Sequence, residues 1–241
     1  MMAADDGNGA DLLTLEGVSK NFDGIEAVVE VSFAVTKGAS AALIGPGSSG
    51  KTTLLDLISG VLKPDQGALS FDGRDLAGLG PHQIAALGIS RCFNPPRPFE
   101  ALSLEDNVII GALLHKADTT TARRLALSLI DRLGLTPCRH LPAARLAMPQ
   151  RKRLELARAL ATRPRLLLLD EMLAGTTPEE WAGLTEILAS FAGHDGITLL
   201  LAERDRDTVG TLAERLITLD QGTLEYQTPE DGHSATGEPQ A

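Results

Sequence analysis

Gly45-Pro46-Gly47-Ser48-Ser49-Gly50-Lys51-Thr52-Thr53 is the stretch that decides how this chain is read. An apolar run, residues 41–44, leads into it, and an apolar-periodic segment with Leu54, Leu55, Leu57 and Ile58 leads out. Strand, glycine-rich loop and helix in that order, with the spacing G-x4-G-K-T, make a Walker A phosphate loop. Glycines let backbone N–H groups turn inward around a phosphate, and the helix N-terminus adds partial positive charge. In such a loop residues 45–53 cradle the phosphates of a nucleotide. Lys51 reaches the β- and γ-phosphates, and the Thr52 hydroxyl ligates Mg²⁺.

Composition narrows the possibilities around that loop. The chain has 241 residues, enough for one sizeable domain or two small lobes. An apolar fraction of 43% and a charged fraction of 22% are those of a globular protein. A net charge of −10 argues against a nucleic-acid partner, which needs clustered excess Lys and Arg. Cys92 and Cys138 have no metal-ligand spacing and read as reduced thiols. No apolar run reaches membrane-spanning length and no secretory signal opens the chain, so any membrane role is expected to come through a partner.

Outward from the loop, segments 12–16, 28–35, 40–44 and 67–71 read as strands. In the second, Val29, Val31, Phe33 and Val35 share one face. Residues 81–87 read as a helix with Pro81 at its start and Gly88 as its stop, followed by a short strand, 89–92. Pro95, Pro96 and Pro98 then forbid regular structure. Helices are expected from Ser103, capped with Asp106, and from about Thr121 to Leu133. Residues 150–162 form a further helix, whose first turn carries Arg151, Lys152 and Arg153 against the helix dipole. Either a solvated face or acidic or phosphate neighbours account for them. Pro178 opens the next helix, and a strand over 197–202 and a hairpin over 216–226 complete the set. The expected fold class is therefore α/β: a β-rich core lobe with an all-helical lobe, residues 95–160 or so, inserted in it. Residues 1–11 and 231–241 read as disordered tails around a domain spanning 12–230.

Residues 166–169 are four leucines ending in Asp170-Glu171. Buried parallel strands look like this, and ligands sit at their C-terminal ends. Together with the Walker A loop they give one nucleotide site. There Asp170 holds Mg²⁺ through a water, and Glu171 polarises or orients the attacking water.

With those motifs on the page, residues 12–230 resemble ATP-binding subunits of ABC transporters, with their P-loop NTPase fold of a RecA-like core and inserted helical lobe. Gly88-Ile89-Ser90-Arg91-Cys92-Phe93-Asn94, residues 154–162 and 166–171, Ala174-Gly175 and Pro178-Glu179-Glu180 resemble the branched-chain amino-acid importer branch. The resemblance implies a place at the cytoplasmic face of the cell membrane, peripheral through membrane-spanning permease subunits. It also implies a second ATP-binding subunit and Phe22 stacking on adenine. The family's signature loop, L-S-G-G-Q or L-S-Y-G-Q, stands here as Leu146-Ala147-Met148-Pro149-Gln150. Ala147 cannot donate the serine's hydrogen bond to the γ-phosphate, and Pro149 lacks the glycine's N–H and flexibility. The glutamine that senses Mg²⁺ and the attacking water is Asn94, and the switch histidine is Arg204, a fixed cation. Thr177 replaces the usual D-loop Asp or Asn, and Met172 the proline after Asp-Glu. The resemblance implies an ATPase that drives import. Its altered motifs also open the reading of a hydrolysis-impaired regulatory subunit, and they favour a heterodimer over a homodimer.

Overall fold

The computed structural model describes residues 10–114, 118–172, 177–204, 206–210 and 212–227. Most of the two tails, together with Ala174-Gly175, lies outside them. Four strands form an antiparallel sheet: β1 (Asp11–Phe22), β2 (Ile25–Thr36), β4 (Gln66–Phe71) and β5 (Arg74–Asp75), in the order β2-β1-β4-β5. Asp11, which composition assigns to the tail, already pairs with Thr36. Six strands form the second sheet: β3 (Ser40–Ile44), β6 (Ile89–Cys92), β7 (Leu166–Asp170), β8 (Thr198–Glu203), β9 (Arg215–Asp220) and β10 (Thr223–Gln227). Their order is β10-β9-β3-β8-β7-β6, parallel throughout except for the closing β9-β10 hairpin.

The parallel sheet is apolar on both faces, which is why β3, β7 and β8 read as unbroken hydrophobic runs. Strand alternation divides them between two cores. Leu166, Leu168, Leu200 and Ala202 face the antiparallel sheet and α1 (Lys51–Ile58), whereas Leu167, Leu169, Leu199 and Leu201 face the other helices. On β2 the buried face holds Val31, Phe33 and Val35 as expected, but Val28 replaces Val29. The register shifts on this pair, and Glu30 sits at φ 46°. A bulge moves every earlier side chain to the opposite face.

Between β6 and β7 the described residues are helices and irregular turns. They include α3 (Leu104–Ala112), capped by Ser103, which accepts from the Asp106 N–H. Next comes α4 (Thr119–Arg132), which begins at Thr119 because Asp118 accepts from the Thr121 N–H. Then α5 (Met148–Ala161) packs against both. The remaining helices are α2 (Pro81–Leu87), α6 (Pro178–Asp195) and the short α7 (Arg206–Val209). No described helix is long and apolar enough to cross a membrane.

Because β3, β8, β7 and β6 run parallel side by side, their C-terminal ends lie along one edge. From that edge emerge the phosphate loop, Arg204, Glu171 and Asn94 in turn.

Candidate nucleotide site

The phosphate loop is held by contacts only glycine permits at two points. A Cβ on Gly45 would lie 2.1 Å from the Leu219 carbonyl oxygen. One on Gly50, at φ 96°, would lie 2.4 Å from the Ala27 carbonyl oxygen. Pro46, Gly47 and Ser48 are exposed, Ser49 is buried, and Thr52 and Thr53 open the first turn of α1. The Lys51 ammonium is buried and folds back on the loop. It donates to the Gly45 and Pro46 carbonyls at 2.6 and 2.7 Å and to Ser49 Oγ at 3.2 Å. Burial pushes its pKa below the ordinary lysine value, the Glu171 carboxylate pulls it back up, and the Arg204 charge lowers it further.

Asp170 meets this loop directly. The Thr52 hydroxyl donates to its Oδ1 at 3.3 Å, and Arg91 Nη2 donates to its Oδ2 at 2.8 Å. The same guanidinium reaches Asp56 on α1 through Nη1. Sequence reasoning passed over Arg91, although one arginine in an otherwise uncharged buried strand signals that carboxylates must meet it from elsewhere.

Glu171 and Arg204 form a two-toothed ion pair. Nε donates to Oε1 at 3.1 Å and Nη2 to Oε2 at 3.2 Å, and these bonds raise the Arg204 pKa. The Glu171 backbone sits at φ 41°, uncommon for a residue with a side chain, while its N–H continues the ladder to the Ala202 carbonyl. Thus Lys51, Thr52, Asp170, Glu171 and Arg204 come together.

Two other candidates stand further off. Asn94 is exposed on the loop after β6, and no hydrogen bond among the described residues ties it to Thr52, Asp170 or Glu171. Phe22 is 40% exposed at the β1-β2 hairpin. Further along, that hairpin's second strand touches the phosphate loop at Ala27.

Ala147 is the N-cap of α5 and brings no side-chain acceptor; Gln150 Oε1 accepts from its N–H at 2.9 Å. Two of the three cations in that first turn, Arg151 and Lys152, have partners the sequence did not offer. Arg151 donates to the Ala144 and Leu146 carbonyls, and buried Lys152 donates to the Met172 carbonyl at 3.1 Å, just beyond Glu171. Arg151 also stands 3.5 Å from Glu100, so both backbone carbonyls and one carboxylate meet it.

Comparison with known proteins agrees with this geometry. The family model for ABC transporters matches residues 28–174. The high-affinity branched-chain amino acid transport ATP-binding protein LivG of Salmonella typhimurium is 33% identical over 236 residues, 91% of this chain and 92% of LivG. Its counterpart BraF of Pseudomonas aeruginosa is 30% identical, with 91% and 92% covered. A nucleotide-free ATP-binding cassette from an ABC transporter superposes with a TM-score of 0.81 at 27% identity, over 90% of this chain and 91% of the other. A cassette in its ADP conformation gives 0.80 at 27% identity, with 92% of each chain covered. Likeness of this extent, over a phosphate loop and an acidic strand end built in this way, means that the chain belongs to the ABC transporter family, as one of its ATPase subunits.

Proposed function

We propose that the chain binds Mg-ATP and hydrolyses it to drive uptake of branched-chain amino acids or similar small polar solutes. The observation that carries the chemistry is the meeting of Lys51, Thr52, Asp170 and Glu171 at one sheet edge. Two relatives named for branched-chain amino acid transport support the cargo. Lys51 would exchange its loop carbonyls for the β- and γ-phosphates. The oxygens of Thr52 and Asp170 are hard donors suited to Mg²⁺, with the Asn94 amide as a further one. Among the described residues no cluster of three His, Cys, Asp or Glu could hold a metal alone, so phosphate and water would complete the shell, as Mg²⁺ prefers. Bound there, Mg²⁺ supplies charge neutralisation on the phosphates. Glu171 would orient the attacking water, Arg204 would offer the γ-phosphate a fixed cation, and Phe22 would give adenine a platform.

The ATP-binding domain would span residues 12–230, with the helical lobe at about 95–160. Between that lobe and the sheet lies a cavity of about 290 Å³, lined among others by Val61, Phe93, Phe99, Ile110, Glu155 and Arg158. Val61, Phe99 and Ile110 expose apolar surface there, which suits an amphipathic segment of a membrane-spanning permease subunit. Held by such subunits, the chain would lie on the cytoplasmic face of the membrane. A second ATP-binding subunit with an intact signature loop would complete the site on this chain's Lys51, Asp170 and Glu171, leaving the other site, which Ala147 and Pro149 face, without donors. Calorimetry tests the core of this reading: Lys51→Ala is expected to weaken Mg-ATP binding severely, and equal binding by both proteins would reject it.

A further inference from the structure

We propose that Arg91 is a positioning residue that aims the Asp170 carboxylate at the phosphate loop; the role rests on the Mg-ATP reading above. Its side chain is 4% exposed and its guanidinium joins three elements. Arg91 itself lies on β6, beside β7. Nη1 is 2.5 Å from Asp56 Oδ1, on α1 one turn beyond Thr52, and Nη2 is 2.8 Å from Asp170 Oδ2, at the end of β7. With Oδ2 taken, Oδ1 is the oxygen turned to the Thr52 hydroxyl. A carboxylate without that partner could rotate about its terminal torsion, which is broad for Asp. Held at Oδ2 by Arg91 Nη2 and met at Oδ1 by the Thr52 hydroxyl, the Asp170 carboxylate has its plane set by two bonds, of which the charged one to Arg91 is the shorter.

Charge decides whether such a partner helps or harms. A lone guanidinium would cancel Asp170 and weaken its pull on a cation. Asp56 supplies a second negative charge, so the three groups together keep one. Arg91 therefore orients Asp170 without neutralising the site. Lysine, a point charge with no fixed plane, could not hold both carboxylates in one geometry. The Nε of Arg91 has no partner among the described residues, and the guanidinium carbon lies 4.8 Å from the Phe93 ring centroid. The side chain is thus wedged between the metal carboxylate and the cavity wall.

Mn²⁺ is the probe, measured by electron spin resonance on the full chain with ATP bound. Arg91→Met combined with Asp56→Asn preserves the cluster's net charge, so a loss reads orientation rather than field. Removing an outer partner of a metal ligand costs 10- to 100-fold in metal affinity, and a loss of about that size is expected. ATP affinity in EDTA should stay within about twofold, since the phosphate loop is untouched. Arg91→Lys retains the charge and, should the double variant not fold, carries the same comparison, with a smaller loss expected. Unchanged Mn²⁺ affinity in either folded variant overturns the role. So does an equal loss of metal-free ATP binding, which would assign Arg91 to loop folding. Wild-type protein that binds ATP but shows no Mn²⁺ site would overturn the Mg-ATP reading, and this role with it.

Discussion

Arg204 and Glu171 occupy each other, so a terminal phosphate arriving beside Lys51 enters a site whose cation is already engaged. Which contact wins is a matter of magnitude. The Arg204 side chain is 63% exposed, and exposed ion pairs contribute little. A charge-assisted contact to a phosphoryl group in the transition state is worth far more, about 10²- to 10³-fold in rate. Arg204→Gln is therefore expected to lower kcat by about that factor rather than free Glu171 for faster turnover; a kcat at or above wild type would refute this. The charge is also fixed. Turnover of the wild type should show no limb from this position between pH 5.5 and 7.5, whereas Arg204→His should introduce one. Because imidazole is cationic only below its pKa of about 6.5, activity of that variant should fall as pH rises through that region. A flat profile for Arg204→His would show that the position needs no cation.

At the scale of elements, α3 and α5 approach through Gly111. A Cβ there would lie 2.5 Å from the Arg158 carbonyl oxygen, a backbone atom that cannot move aside cheaply. Alanine would gain up to about 1 kcal/mol in helix propensity. Overpacking costs about 1–3 kcal/mol and exceeds that gain against rigid backbone. Gly111→Ala should lower the urea midpoint; a rise would show that the helices part freely. On α5, burial raises the Glu155 carboxyl above its ordinary 4.5, with Arg158 opposing. The ionised form is thus penalised in the fold. The contribution is fully present below the ordinary carboxylate pKa and is lost as pH rises through the raised value. Glu155→Gln should change Tm more favourably at pH 7 than at pH 4, and an equal change at both would contradict it. Periodicity and caps made several helices legible in the sequence, as Ser103 before α3 and Gly88 after α2 illustrate. β1 was harder to read, because it runs on to Phe22 through register shifts that break the two-residue alternation. Arg91 was illegible for another reason: its partners lie 35 and 79 residues away, where no local pattern records them.

For the molecule as a whole, the nucleotide site was largely legible because its parts sit at strand ends and keep recognisable spacing. What the sequence left open was who faces whom. α5 starts at Met148, so Pro149 lies in the first turn, where a missing N–H leaves the helix itself intact. The loss falls on whatever ligand approaches that helix end. The chain paired with itself is expected to turn over slowly, and pairing it with a subunit carrying Leu-Ser-Gly-Gly-Gln should restore one fast site. Ala147→Ser with Pro149→Gly should then speed the other. A purified homodimer as fast as an intact family transporter would count against this asymmetry. The strand order carries one more consequence. Neighbouring strands lie about 4.8 Å apart, so β3 and β7, with β8 between them, set the phosphate loop and Glu171 about 10 Å apart at the backbone. The sheet is a ruler whose marks are main-chain hydrogen bonds, indifferent to the side chains projecting from it. Asn94 stands one mark further out, past β6, on the loop that leads away to α3, α4 and α5.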